Sequence, residues 1–433
     1  MKNDTKLRFY NAIILTSPDA VPFKGELHVR GGKIHYIGET SEKPKDDYDR
    51  EIDCGGNLIM SGFCNAHAHA AMCLFRGMAD DLSLEDWLYD RIFPLEKNLT
   101  SDDVYWGTLL QIAEYVRSGI VCFADMYYFQ DAVYAAAEKT GLMLALCCPY
   151  HSGSDVDVIA EIEKSYSLYS TISDRVRYFP GVHAEYTCDE ALLMKVADFA
   201  AETGAKTYIH LSETLKEVGD CTVRHNGLTP PQYLHKLGFF ENGGLAAHCV
   251  YVDKDDIALL RQSGVTPIIN SGSNLKLASG VSPVVSMLRA GMRPALGTDG
   301  TASNNASSFF REMYLYSCLQ KQSLKDSSVV SAEQALEAAT RNGFEALGFS
   351  NGELKTGSFA DFIVLDLMAP NMRPLSDIRK NLVYSADNSN VLITVANGKI
   401  VYERGNYYLG ESLEKIFAEC EKRKTRLKKQ AGF

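Results

Sequence analysis

Ten histidines occur in the 433 residues, and four of them fall where apolar, strand-like runs end: His67, His69, His210 and His248. Residues i and i+2 on a strand share a face, so His67-Ala68-His69 aims two imidazoles to one side at a spacing that can chelate one metal ion. Taken alone, an H-x-H pair more often marks two polar residues beside a turn. Its meaning changes because His210 and His248 end separate runs, and because a later run ends LGTDG and brings Asp299 to the same rim. Three histidines and one carboxylate suit a borderline-soft divalent ion, zinc first, with a position left for water. Glu213 lies three residues past His210, within reach of that water without being a ligand. A divalent ion lowers the pKa of such a water towards about 7, and a nearby carboxylate can then act as general base. A solvated loop residue is the competing reading of Glu213 by itself.

These side chains require strands that end at one rim. Eight apolar runs alternate with long helical stretches: 58–66, 119–125, 142–148, 176–182, 205–211, 244–250, 264–270 and 292–299. That alternation argues for parallel α/β structure, and the number eight for a closed (β/α)8 TIM-type barrel with its site at the carboxyl ends of the strands. A doubly wound open sheet would normally announce itself by G-x-G-x-x-G or G-x-x-x-x-G-K-[ST], and neither is present. Short alternating runs with Gly-rich breaks fill residues 1–58, and a similar texture returns near the other end, where Asn397-Gly398 signals a hairpin. The predicted organisation is a small β-sandwich domain built from 1–58 and 355–410, a barrel over 59–354 and a helical tail over 411–433.

Composition narrows the function classes. Hydrophobic residues are 46% and charged residues 23%, the balance of an ordinary globular protein. The 44 Lys plus Arg against 55 Asp plus Glu give a net charge of -11, which disfavours nucleic acid and anionic membrane as partners. The basic stretch Lys422–Lys429 reads as a solvated helix end. Eleven cysteines form no C-x-x-C pair and mostly sit in apolar runs, so reduced, buried thiols are predicted. No signal peptide or long apolar span is legible, and the predicted address is the cytoplasm. The H-x-E plus P-C-x-x-C pattern of cytidine-deaminase zinc sites is also missing.

Several segments together resemble the amidohydrolase superfamily, and within it the branch of 5-methylthioadenosine/S-adenosylhomocysteine deaminases and related aminohydrolases. They are GFCNAHAHAAMCLFRGMADDLSLEDWLYDRIFPLEKNLT at 62–100, YIHLSET at 208–214, AAHC at 246–249, SNLKL at 273–277 and LGTDGTASNN at 296–305. The resemblance runs nearly end to end, the split β-domain included. It implies that His67, His69, His210 and Asp299 ligate one divalent metal, most simply zinc, with iron and nickel as alternatives. It implies further that Glu213 relays a proton from the attacking water to a ring nitrogen, that His248 polarises the attacking oxygen, and that Asp299 helps protonate the leaving amine. Binuclear members use a bridging Lys or carboxylate near strand four, where this chain has His183, so one metal is expected. The same likeness assigns Glu96 to the ribose hydroxyls and Trp87 and His183 to the nucleoside. A core-packing helix residue competes for Trp87, a helix-end carboxylate for Glu96, and a structural histidine for His183.

The departures bear on substrate. Members that take S-adenosylhomocysteine tend to carry arginines after strand three, where this chain reads CCPYHSGSDVD from Cys147 to Asp157. A carboxylate-bearing substrate would there bury an unpaired charge. Strand seven also differs, with Ile269 and Ser271 reshaping that wall. The expectation is a metal-dependent deaminase of an adenine nucleoside whose 5' substituent lacks a carboxylate, such as 5'-methylthioadenosine, adenosine or 5'-deoxyadenosine. Deamination or dechlorination of another heterocycle is the alternative, and a non-catalytic scaffold the remote one. The expected partner is a small heterocyclic substrate, and the family often forms homo-oligomers.

Overall fold

Runs of small and β-branched residues with no exposed position, such as Ile120–Met126, Met143–Cys147, Thr207–Leu211 and Gly244–His248, can satisfy burial on both faces only inside a helix-covered parallel sheet. The computed structural model, which describes residues 5–40, 47–350 and 352–433, has that arrangement. Two five-stranded sheets are built entirely of parallel pairs. One runs Asp299–Gly300, Phe63–His69, Ile120–Met126, Met143–Cys147, Val176–Tyr178. The other runs Gly181–Ala184, Thr207–Leu211, Gly244–His248, Val265–Ile269, Ala295–Leu296. Helices such as Ser101–Arg117 and Glu190–Thr203 connect successive strands, each opened by a side-chain cap from Thr100 or Asp189.

Each of the eight predicted runs contributes a strand to these sheets, and two of them contribute to both. The fourth breaks at Phe179-Pro180, because proline has no N–H for a ladder. Gly181 restarts it where a Cβ would lie 2.2 Å from the Tyr208 carbonyl oxygen. The eighth breaks around Gly297, where a Cβ would lie 2.4 Å from Asn270 Oδ1 and 2.7 Å from His67 Cβ. There the Asn65 side chain replaces the ladder, accepting from Thr298 N–H at 2.9 Å and donating to Thr298 Oγ1 at 2.7 Å.

The first run is not one strand. Leu58–Ser61 pairs with Lys6–Leu15 and Phe362–Leu365, and only after Gly62 does Phe63–His69 enter the parallel sheets. Strands from both ends of the chain thus meet in one nine-stranded mixed sheet over a core that includes Phe9, Ile14, Leu27, Ile59, Phe362 and Val395. The predicted hairpin turn is present, with Asn397 and Gly398 both left-handed between Val391–Ala396 and Lys399–Glu403. Arg175 clasps Asp361 at 2.9 and 2.7 Å and ties this sheet to the parallel ones.

The basic stretch near the end is less solvated than predicted. Helix Leu413–Gln430 buries Ile416, Cys420 and Leu427, and Arg423 and Arg426 pair with Asp102 and Asp103 at the start of helix Ser101–Arg117. All eleven cysteines are free, nine of them buried, and no helix among the described residues is long and apolar enough to cross a membrane.

Candidate active site

The residues singled out from sequence converge where the two parallel sheets present their carboxyl ends. His67 and His69 end Phe63–His69, His210 lies in Thr207–Leu211, His248 ends Gly244–His248 and Asp299 begins Asp299–Gly300. The backbone is strained here: Ser212, His248, Cys249 and Asp299 have φ of +51°, +72°, +46° and +62°. Non-glycine residues in that region cost of order 1–3 kcal/mol each and persist only where surrounding structure dictates them. The left-handed turns after His210 and at His248 swing the two chain segments round the rim.

Each imidazole is oriented by a partner on its far nitrogen. His69 Nδ1 donates to the Met126 carbonyl at 2.6 Å and His210 Nδ1 to the His183 carbonyl at 2.7 Å. His248 Nδ1 donates to Asn274 Oδ1 at 2.7 Å. The Tyr208 hydroxyl gives its hydrogen to the Ala66 carbonyl at 2.6 Å, so it accepts from His67 Nδ1 at 2.7 Å. In the neutral rings all four Nε2 atoms are thereby lone pairs aimed inward, the outer arrangement typical of ligating histidines.

Those lone pairs fit a cation. His69 Nε2 and His210 Nε2 stand 3.3 Å apart with both Nδ1 hydrogens committed elsewhere, which in the neutral rings sets lone pair against lone pair and is relieved by a cation or an added proton between them. His67 Nε2 is buried with no hydrogen-bond partner. Asp299 Oδ1 lies 3.1 Å from His69 Nε2 and 3.5 Å from His67 Nε2, while its Oδ2 accepts from Ser273 Oγ at 2.5 Å and Ser303 Oγ at 3.0 Å. Burial would raise the Asp299 carboxyl, but the facing imidazoles hold it well below the usual range. Burial drives His67 down to about 4; it lowers His69 too, yet Asp299 outweighs it and lifts His69 to about 9. Without an ion, the cluster draws positive charge to the place where one would sit.

Glu213 stands beside this set. Its Oε2 is 3.7 Å from His248 Nε2 and its Oε1 accepts from Ser279 Oγ at 3.0 Å. Burial raises its carboxyl and the neighbouring His248 partly opposes that. The loop is set by Glu217 on helix Leu215–Arg224, whose two oxygens accept from Ser212 N–H and Glu213 N–H at 2.7 Å each.

A cleft opens over these groups, lined by His69, His210, Glu213, His248 and Asp299, and by Trp87, Glu96 and His183. Its outer wall is a helical strap, Leu84–Glu96, widened to a π turn over Trp87–Ile92, where the Phe93 N–H reaches back to the Leu88 carbonyl. A wider turn just before Pro94 relieves the clash a proline makes with the preceding turn. It keeps Trp87, Leu88 and Ile92 buried and leaves Tyr89 outside. His183 Nδ1 bonds Thr187 Oγ1 at 3.1 Å, and burial drives its basicity down to about 3, so it presents a neutral ring. Burial lifts Glu96 to about 7 beside the Tyr127 hydroxyl.

All nine predicted site residues adjoin one another here. Sequence reasoning missed Tyr208, although it sits two residues before His210 on the same strand face and the rule applied to His67 and His69 would have found it. It missed Tyr127, which follows a strand end with no motif around it. Among the described residues lining the cleft there is no Lys or Arg.

The profile of the Amidohydrolase family matches residues 58–401. The chain is 40% identical over 419 residues to a 5'-deoxyadenosine deaminase of Methanosarcina mazei, covering 95% of this chain and 96% of that one. It is 39% identical over 402 residues to a 5-methylthioadenosine/S-adenosylhomocysteine deaminase of Acetivibrio thermocellus, covering 91% and 93%. Among solved structures, an adenosine deaminase of Xanthomonas campestris with bound zinc superposes with a TM-score of 0.91 at 28% identity, covering 98% and 99%.

Proposed function

The chain belongs to the amidohydrolase family, and from that premise we propose that it is a metal-dependent hydrolase that removes the 6-amino group of an adenine nucleoside as ammonia. The observation that carries the reading is the set of inward lone pairs at His67, His69 and His210 against Asp299, beneath a cleft walled by Trp87 and Glu96. We read the two parallel sheets as halves of one closed (β/α)8 barrel, because the fourth and eighth strands each enter both, and we start it at Phe63 and not at the expected 59, since Leu58–Ser61 belongs to the nine-stranded sheet. The strands described within 1–58 and 355–410 form one nine-stranded sheet, which we read as the accessory β-domain expected as a sandwich, with 411–433 as a helical tail.

His67, His69, His210 and Asp299 would hold one divalent ion, zinc by donor type, a reading supported by two overlapping groups whose ligand atoms lie within reach of one another, His67 with His69 and Asp299, and His67 with His210 and His248. When bound, the ion supplies a Lewis acid and an acidified water. Glu213 takes a proton from the attacking water at its Oε2 and returns it to a ring nitrogen, which suits a carboxyl whose basicity burial has raised. His248, held by Asn274, polarises the attacking oxygen, and Asp299, held by Ser273 and Ser303, accepts the second proton of the attacking water and passes it to the departing amine. Water adds across the carbon–nitrogen bond, leaving a keto ring and ammonia. Glu96 accepts from the sugar hydroxyls, while Trp87 and the neutral His183 flank the nucleoside.

A cleft without Lys or Arg favours a 5' substituent that carries no carboxylate, as in 5'-methylthioadenosine, adenosine or 5'-deoxyadenosine. Reduced buried thiols accord with a cytoplasmic address. Ammonia release, or chloride release for the chlorotriazine, from zinc-loaded protein tests the reading across adenosine, 5'-methylthioadenosine, 5'-deoxyadenosine, S-adenosylhomocysteine, guanine and a chlorotriazine. The first three should turn over and S-adenosylhomocysteine little. Activity confined to guanine or the triazine would move the protein to another substrate class.

A further inference from the structure

Among the described residues lining the cleft, Trp87 Nε1 and the Tyr127 hydroxyl are buried without a well-formed hydrogen bond, although the Tyr127 hydroxyl lies close enough to the Glu96 carboxyl for each to shift the other's titration. Buried polar groups are nearly always satisfied, so an orphaned donor in a cleft indicates what the absent ligand must bring. Tyr127 is the better placed. Its N–H donates to the Cys147 carbonyl at 3.0 Å, its ring lies 6.1 Å from that of His69 and 5.4 Å from that of Tyr128, and its hydroxyl stands beside the Glu96 carboxyl. Rigid backbone and packed rings hold the hydroxyl in one place. An O–H donor beside a carboxylate acceptor suits a ligand group that both accepts and donates. An alcohol does so; a ring nitrogen or a thioether does not.

We propose that Tyr127 is a specificity-determining residue that reads a sugar hydroxyl jointly with Glu96: the Tyr127 O–H donates to the hydroxyl oxygen whose own hydrogen Glu96 accepts. The inference rests on the adenine-nucleoside reading above. It makes the sugar, and not only the base, a requirement of the site, because a substrate lacking that hydroxyl leaves the Tyr127 O–H and the Glu96 carboxyl buried with only each other to face.

The test compares wild type with Tyr127→Phe, which removes one oxygen and keeps the ring, on adenosine, 2'-deoxyadenosine and 3'-deoxyadenosine, with bound zinc measured for both proteins. The variant should keep its zinc, lose at least about tenfold in kcat/KM on adenosine, mainly through KM, and lose less than about twofold on whichever deoxynucleoside lacks the hydroxyl that is read. Equal loss on all three nucleosides, or none on adenosine, overturns the inference while leaving deamination intact. A wild type that fails to deaminate adenosine overturns the nucleoside reading and this inference with it.

Discussion

Glu213 and His67 do different work although both are buried within one cluster, and single substitutions separate them. His67 offers a lone pair with no protein partner, so His67→Ala should lose bound zinc and activity together, as should Asp299→Ala; metal analysis beside ammonia release checks it. Glu213 reaches His248 and Ser279 instead. Glu213→Gln should therefore keep its zinc and lose at least about a hundredfold in kcat. Tyr208 orients His67 without touching the centre. Tyr208→Phe should weaken zinc binding by about ten- to a hundredfold, read in a competition titration with a chelating dye. An active protein with His67 replaced and no metal would sink the whole scheme.

At the scale of elements, the strap over Leu84–Glu96 sets access to the cleft. It is tethered by Lys276, which closes helix Ser271–Lys276 and pairs with Asp80 before the strap and with Asn305 after the eighth strand. One ammonium thus joins three segments that rim the site. Lys276→Met removes the charge and keeps the stem, and it should raise KM about three- to tenfold with little change in kcat, while speeding proteolysis between residues 78 and 93. Unchanged KM and unchanged cleavage would mean that the strap is held by its apolar face alone.

For the whole molecule, stability and metal are linked through buried charge. Burial lifts Glu96, Asp125, Glu217 and Glu312 each to about 7. A carboxyl whose folded pKa exceeds its unfolded value, 4.5 for the glutamates and 3.8 for Asp125, stabilises the fold while protonated, and that contribution is lost as pH rises from there through about 7. His69, raised to about 9, acts in the same direction. Asp299, held well below its usual range, acts only at much lower pH. Metal-free protein should therefore melt at a lower temperature at pH 8 than at pH 6 in a thermal scan. Zinc at a hundred times its Kd should stabilise it by about 2.7 kcal/mol.

The amino-acid sequence by itself determined the eight apolar runs that carry the parallel strands, their order, and the parity of His67 and His69. These follow from local periodicity, which depends only on neighbours along the chain. It also marked His210, His248 and Asp299, because chemistry-bearing residues at the ends of apolar runs stand out without any knowledge of contacts. The tertiary structure decided what long separation hides. Tyr208 lies 141 residues from His67, and Thr298 lies 233 residues from Asn65, so neither partnership leaves a local trace. The break of the fourth and eighth strands, the docking of Arg423 on Asp102 and the approach of Tyr127 to Glu96 likewise arise only when distant segments pack. Spacing along the chain sets which groups can face a common centre, and packing between remote segments sets which nitrogen of each ring faces it.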